Sequence, residues 1–95
     1  MIEHLAIVRE NTLYVTDKLP IQVGSADWYS WLEEALTFRY QHGTLSFSAR
    51  CERFQRGGRY WRAYRRVAGK LRRSYLGRSE DLSVEKLHHA AIQLA

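Results

Sequence analysis

The residues best equipped for chemistry in this sequence are arginines. From Arg50 to Arg78 the chain holds eleven basic residues and one acid, Glu52, a local net charge of +10. The remainder nets −5, so the overall +5 comes entirely from one segment. Charge concentrated in this way signals a polyanionic partner, because the field adds locally. Tyr60, Trp61, Tyr64 and Tyr75 lie among the arginines. Guanidinium groups pair with phosphate oxygens and read guanine edges bidentately, while aromatic rings flank a backbone or stack on bases.

No comparable constellation for catalysis or metal binding assembles from the other reactive residues. The histidines are His4, His42, His88 and His89, and adjacent His88 and His89 would point about 100° apart on a helix. One cysteine with scattered histidines matches no zinc spacing. Glu33-Glu34 reads as a solvated helix face, and the sequence has no Walker-type loop or nucleophile elbow. Cys51 beside Arg50 has the makings of a low-pKa thiol, but its place on the apolar side of a strand favours a buried, inert cysteine. The expectation is a non-enzyme with no catalytic residues, no metal, no cofactor and no small-molecule substrate.

The elements that must position the arginines are read from periodicity. Ninety-five residues make one domain, 1–95, large enough for a single core. Residues 1–24 read as a hairpin or an irregular strand; whether they join the main sheet stays open. Pro20 and Gly24 break regular structure, and Ser25 caps a short helix within 25–36. Its Trp28, Trp31, Leu32 and Ala35 recur at helical spacing over Ala26–Ala35. Residues 37–77 read as sheet. Thr37–Gln41 is followed by a His42-Gly43 turn. In Leu45–Phe54, the residues Leu45, Phe47, Ala49 and Cys51 alternate with Ser46, Ser48, Arg50 and Glu52. A Gly57-Gly58 turn leads to Arg59–Val67, and Ala68-Gly69 turns into Lys70–Leu76. Residues 83–94 form the last helix, with Ser83 as N-cap and Leu82 and Leu87 as a staple.

The fold class expected is therefore α+β: a three- to four-stranded antiparallel sheet packed against a C-terminal helix, with a short additional helix near residues 26–35. A rival reading exists, since Arg50, Arg53, Arg56, Arg59, Arg62 and Arg65 fall every third residue and would stripe a helix. Paired glycines and the aromatic content favour strands.

On the strand from Arg59, Trp61, Ala63, Arg65 and Val67 form the core side, so Tyr60, Arg62, Tyr64 and Arg66 face water. Arg50 and Ser48 on the preceding strand, and Lys70, Arg72 and Ser74 on the following one, are their expected neighbours. The candidate nucleic-acid-binding residues are thus Arg50, Arg62, Arg66, Lys70, Arg72, Tyr60 and Tyr64.

The stretch Gly57-Gly58-Arg59-Tyr60-Trp61-Arg62-Ala63-Tyr64-Arg65-Arg66, with Gly69-Lys70-Leu71-Arg72-Arg73 and Tyr75-Leu76-Gly77-Arg78-Ser79-Glu80-Asp81-Leu82-Ser83, resembles the N-terminal module preceding the ATPase in large bacterial LuxR/MalT-type transcriptional regulators. Trp28-Tyr29-Ser30-Trp31-Leu32 and Ser46-Phe47-Ser48-Ala49-Arg50 fit the same pattern. Two departures are Arg62, where such modules often have an aromatic, and Cys51, where lysine is common. The chain ends at Ala95, without the ATPase and C-terminal helix-turn-helix of such regulators, so the expectation is an excised domain or a stand-alone relative. The strand–strand–strand–helix order also resembles the arm-type DNA-binding domain of phage integrases, whose sheet docks in the major groove; that likeness is architectural.

These readings lead to a DNA-binding module of a transcriptional regulator, with double-stranded DNA as partner and an ATPase domain as neighbour in a longer chain. Two alternatives stand beside it: a protein–protein or intramolecular regulatory domain, and single-stranded nucleic acid or RNA bound by stacking. The start of the chain lacks a secretory signal, no apolar run approaches the roughly 20 residues of a membrane span, and a lone cysteine suits a reducing compartment. A cytoplasmic location is expected.

Overall fold

The computed structural model describes residues 6–53 and 58–95. Gly57 of the expected glycine turn, Arg56, Phe54, His4 and Leu5 lie outside the described residues. Strand β1 (Ala6–Arg9) and β2 (Thr12–Val15) form a hairpin, followed by a two-residue strand β3 (Ile21–Gln22) and helix α1 (Ala26–Leu32). Next come β4 (Thr37–His42), β5 (Leu45–Arg53), β6 (Arg59–Val67) and β7 (Lys70–Gly77). A 3-10 turn over Ser79–Asp81 leads into helix α2 (Val84–Leu94).

Among the described residues, seven strands make one sheet in the order β3-β2-β1-β4-β5-β6-β7. It is mixed, because β1 runs parallel to β4 while the other pairs are antiparallel. This corrects the expected three- to four-stranded antiparallel sheet sealed by one C-terminal helix: the N-terminal strands extend the sheet, and both helices pack on it. Local sequence explains the hairpin. Glu10 and Asn11 take φ values of 48° and 63°, the left-handed pair that a two-residue turn between twisted strands requires. Ala6, Val8 and Leu13 then bury on one face. The parallel pairing with β4 becomes available because the chain crosses over through α1 before returning.

The helical reading of the arginine stripe is also overturned, since β5 and β6 carry Arg50, Arg53, Arg59, Arg62 and Arg65 as strand residues. The turn after β4 is Gly43-Thr44 and not His42-Gly43; His42 pairs with Leu45 as the last residue of the strand. Gly43 supplies the positive φ there.

One core lies between the sheet and the two helices. Trp28 and Leu32 of α1, Phe38, Tyr40, Phe47, Ala49, Trp61, Ala63 and Leu76 of the strands, and Leu87, Ala90, Ala91 and Leu94 of α2 are its buried members. Trp28 packs edge-on against Phe38 at 5.5 Å between centroids, and Phe38 meets Trp61 at 5.2 Å. Ser25 accepts from the Trp28 N–H and Ser83 from the Lys86 N–H, each at 3.2 Å, satisfying donors in the first turns of the helices. Both helices occupy one side of the sheet. Among the described residues, the other side carries no helix.

Candidate functional site

Residues paired across neighbouring strands share a face. Arg50 pairs with Arg62, Ser48 with Tyr64, and Glu52 with Tyr60. On the far side of β6, Arg62 pairs with Tyr75, Tyr64 with Arg73 and Arg66 with Leu71. Through β4 the same face continues, because Arg39 pairs with Ser48 and with Ile7 of β1. Arg9 and Tyr14 complete it on the N-terminal hairpin. The helix-free face thus gathers Arg9, Arg39, Arg50, Arg62, Arg66 and Arg73. Glu52 is the one acidic residue anywhere in the seven strands.

Of the sequence-derived residues, Arg50, Arg62, Arg66, Tyr60 and Tyr64 come together on this face, and Lys70 and Arg72 do not. The expected neighbours on β7, Lys70, Arg72 and Ser74, belong to the helix side. The cause is the turn. Ala68 (φ 50°) and Gly69 (φ 80°) form a two-residue connection that pairs Val67 with Lys70. Paired residues point the same way, and Val67 belongs to the core side, so Lys70 and every second residue after it follow. Arg72 reaches the end of α2, where its guanidinium donates to the Ala95 carbonyl at 3.1 Å, a favourable place for a cation. Ser74 donates to Gln93 Oε1 at 3.3 Å. Arg73 and Tyr75, which the sequence reading left out, occupy the open face instead. A bulge between Trp61 and Arg62 leaves Leu76 as the extra residue of β7, and it is fully buried.

Geometry and electrostatics differ along the face. Tyr60 is 7 % exposed, and its ring lies 5.6 Å from Tyr75 and 5.3 Å from the Arg62 guanidinium. It therefore serves as a floor under the other two side chains. Tyr75 is 55 % exposed. The Tyr64 hydroxyl donates to Glu52 Oε1 at 2.5 Å, and Arg62 approaches the same oxygen at 3.8 Å. The hydrogen bond to Glu52, more than burial, pushes the Tyr64 phenol above its ordinary pKa. Arg39, Arg50, Arg66 and Arg73 are exposed. Within the face, Arg66 donates to the Gly69 carbonyl at 3.3 Å.

Arg53, Arg59 and Arg65 alternate to the helix side. Arg59 donates to Cys51 Sγ at 3.1 Å and also to the Ala35 carbonyl, tying β6 to the segment after α1. Cys51 is half-buried there, with Arg59 and not Arg50 beside its sulfur.

Other candidate chemistry is sparse. His42 and His88 meet edge-on at 5.2 Å, and the Tyr40 hydroxyl lies 3.5 Å from His88 Nδ1. Burial raises the Tyr40 phenol pKa. Among the described residues, no group of three or more His, Cys, Asp or Glu side chains stands together to hold a metal ion. A depression of about 510 Å³ between β2, α1 and the start of β4 is lined by Val15, Asp17, Trp31, Glu34 and Leu36 among others. No helix among the described residues is long and apolar enough to cross a membrane.

No curated protein and no solved structure matches the chain. Residues 25–86 match a family model and take in α1, β4 to β7 and the start of α2. With more than half of its length matched, the chain belongs to the family described as a domain of unknown function, DUF6788.

Proposed function

We propose that this domain binds nucleic acid through the helix-free face of its sheet. One observation carries the reading: six arginines from β1, β4, β5, β6 and β7 share that face with a single carboxylate. Arginine forks suit phosphate oxygens, and the tyrosines beside them suit the sugar–base moieties that lie between phosphates. Glu52, held by Tyr64 and Arg62, offsets one of the six positive charges and leaves the face strongly cationic. Arg50, Arg62, Arg66 and Arg73 would contact phosphates, with Tyr60 holding Arg62 and Tyr75 in place. The transcription-regulator setting and a neighbouring ATPase domain follow from the sequence resemblance and form part of the same proposal.

A second reading has the face docking on an acidic protein surface, favoured by the exposed Leu71 and Tyr75 on β7. Anisotropy titration of labelled oligonucleotides at several salt concentrations separates the two. Neutralising about five phosphates gives a slope of log K against log salt near −4 to −5 on duplex and near −3.5 on single strands. Absence of binding at low salt would overturn the nucleic-acid reading and leave the protein-docking one.

A further inference from the structure

We infer that the ligand of this face is single-stranded nucleic acid, running across the strands from β7 toward β1 with one base stacked on Tyr75. The inference deepens the nucleic-acid reading and rests on it.

Width is the first argument. A major groove is about 12 Å across and admits a helix or a two-stranded ribbon. Strands lie about 4.8 Å apart, so a seven-stranded sheet measures roughly 29 Å between its outer strands. The arginines occupy five of the seven strands, about 19 Å from Arg9 on β1 to Arg73 on the edge strand β7. A groove of that width reaches across β5, β6 and β7 at most and leaves Arg39 and Arg9 outside. A single strand has no such limit, since its backbone can follow a broad surface.

The second argument is the placement of the aromatic rings. In a duplex the faces of the bases are already stacked on one another, and a ring on the protein gains nothing from them without unstacking. Tyr75 is 55 % exposed and is backed by Tyr60 at 5.6 Å, which fixes one side of it. Arg62, directly across the ladder from Tyr75, and Arg73, two residues before it, put cations at the neighbouring positions of the same face. Tyr64 sits between Ser48 and Arg73 with its hydroxyl held by Glu52. Aromatic rings on an open sheet, interleaved with arginines, are the arrangement by which unpaired bases are bound without strong sequence preference.

Labelled 12-mers of oligo-dT and oligo-U, and a duplex of the same length, titrated by anisotropy against the wild type, Y75F, Y75L and Y75A, test this. Both single strands should bind at least tenfold more tightly than the duplex. Y75A and Y75L should weaken single-strand binding about tenfold, while Y75F retains it, and the salt slope should stay unchanged in all three variants. Circular dichroism melts establish that the variants are folded; Y75L, which keeps an apolar side chain at an exposed edge position, guards against loss of fold in Y75A. Equal or tighter duplex binding, or unchanged affinity in Y75L, overturns the single-strand inference and leaves nucleic-acid binding standing. No binding to any oligonucleotide at low salt overturns both.

Discussion

The Tyr64 phenol and the Glu52 carboxylate meet at 2.5 Å across the β5–β6 ladder, and Arg62 approaches the same carboxylate oxygen from beside them. The only acid of the sheet among the described residues is thereby committed to fixing an aromatic ring. Since the hydrogen bond to Glu52 raises the Tyr64 pKa, protonated Tyr64 is favoured in the folded state. Its contribution to stability is complete below the ordinary tyrosine value of about 10 and is lost as pH rises through the higher folded value. In Glu52→Gln the Tyr64 titration should move down toward the ordinary value. Carbon-13 labelling of the tyrosine ring, followed by NMR from pH 8 to 12, reads this directly; an unmoved Tyr64 midpoint would deny the coupling.

The same substitution has an opposite consequence for binding. Glu52→Gln removes the one negative charge on the face and releases Arg62 from its ion pair. Oligonucleotide affinity at moderate salt should rise, by about threefold to tenfold, while the salt slope stays nearly unchanged, because the number of phosphates met by arginines is the same. Weaker binding would mean that the rigidity of Tyr64 matters more than the charge.

Face assignment makes a sharper contrast. Arg62→Ala and Arg73→Ala should each reduce the magnitude of the salt slope by about one. Lys70→Ala and Arg72→Ala, adjacent in sequence but on the helix side, should leave both slope and affinity nearly unchanged. Arg72→Ala should lower stability slightly, through loss of its contact with the Ala95 carbonyl at the end of α2. A Lys70 or Arg72 effect as large as that of Arg73 would contradict the face assignment.

What the sequence made legible, and what it hid, follows from the range of the interactions involved. The alternation of Phe47 and Ala49 with Ser46 and Ser48 is local, and it sorts the faces of β5 directly. The face of β7 was equally accessible, because a two-residue Ala68-Gly69 turn obliges Lys70 to follow Val67 to the core side. Reading Lys70 and Arg72 as partners of Arg62 and Arg66 overlooked that parity, and so missed Arg73 and Tyr75. The width of the sheet was hidden for a different reason. Strands of four and two residues carry too little periodicity to identify, and the parallel pairing of Ile7 with Arg39 joins residues separated by a helix. Nothing local in either strand marks such a partner.

Trp28 links α1 to the segment that leads into α2. Its indole N–H donates to the Leu82 carbonyl at 2.8 Å, and the ring is fully buried. Trp28→Phe removes the donor, leaves that carbonyl without its partner and opens space beside Phe38. The orphaned group alone costs about 1–3 kcal/mol, and lost packing adds to it. A urea denaturation should show a lower midpoint with an unchanged slope, while oligonucleotide binding by the folded variant persists because the opposite face of the sheet is untouched.

Gly77 closes β7 in a conformation that only glycine adopts easily. Its φ is +102°, and a Cβ at this position would lie 2.8 Å from Asp81 Oδ2. The same Asp81 oxygen accepts the Arg78 N–H at 3.0 Å, which shapes the 3-10 turn leading to α2. Gly77→Ala therefore combines backbone strain of about 1–3 kcal/mol with displacement of that carboxylate. Each kcal/mol lowers Tm by about 4–8 °C in a domain of this size, so a thermal melt resolves the effect easily. Asp81→Ala, in contrast, removes the clash partner and the capping acceptor together. In the Gly77→Ala/Asp81→Ala double variant the combined loss should be smaller than the sum of the single losses, because the steric part of the Gly77→Ala penalty is gone. Strict additivity would indicate that φ strain alone sets the cost.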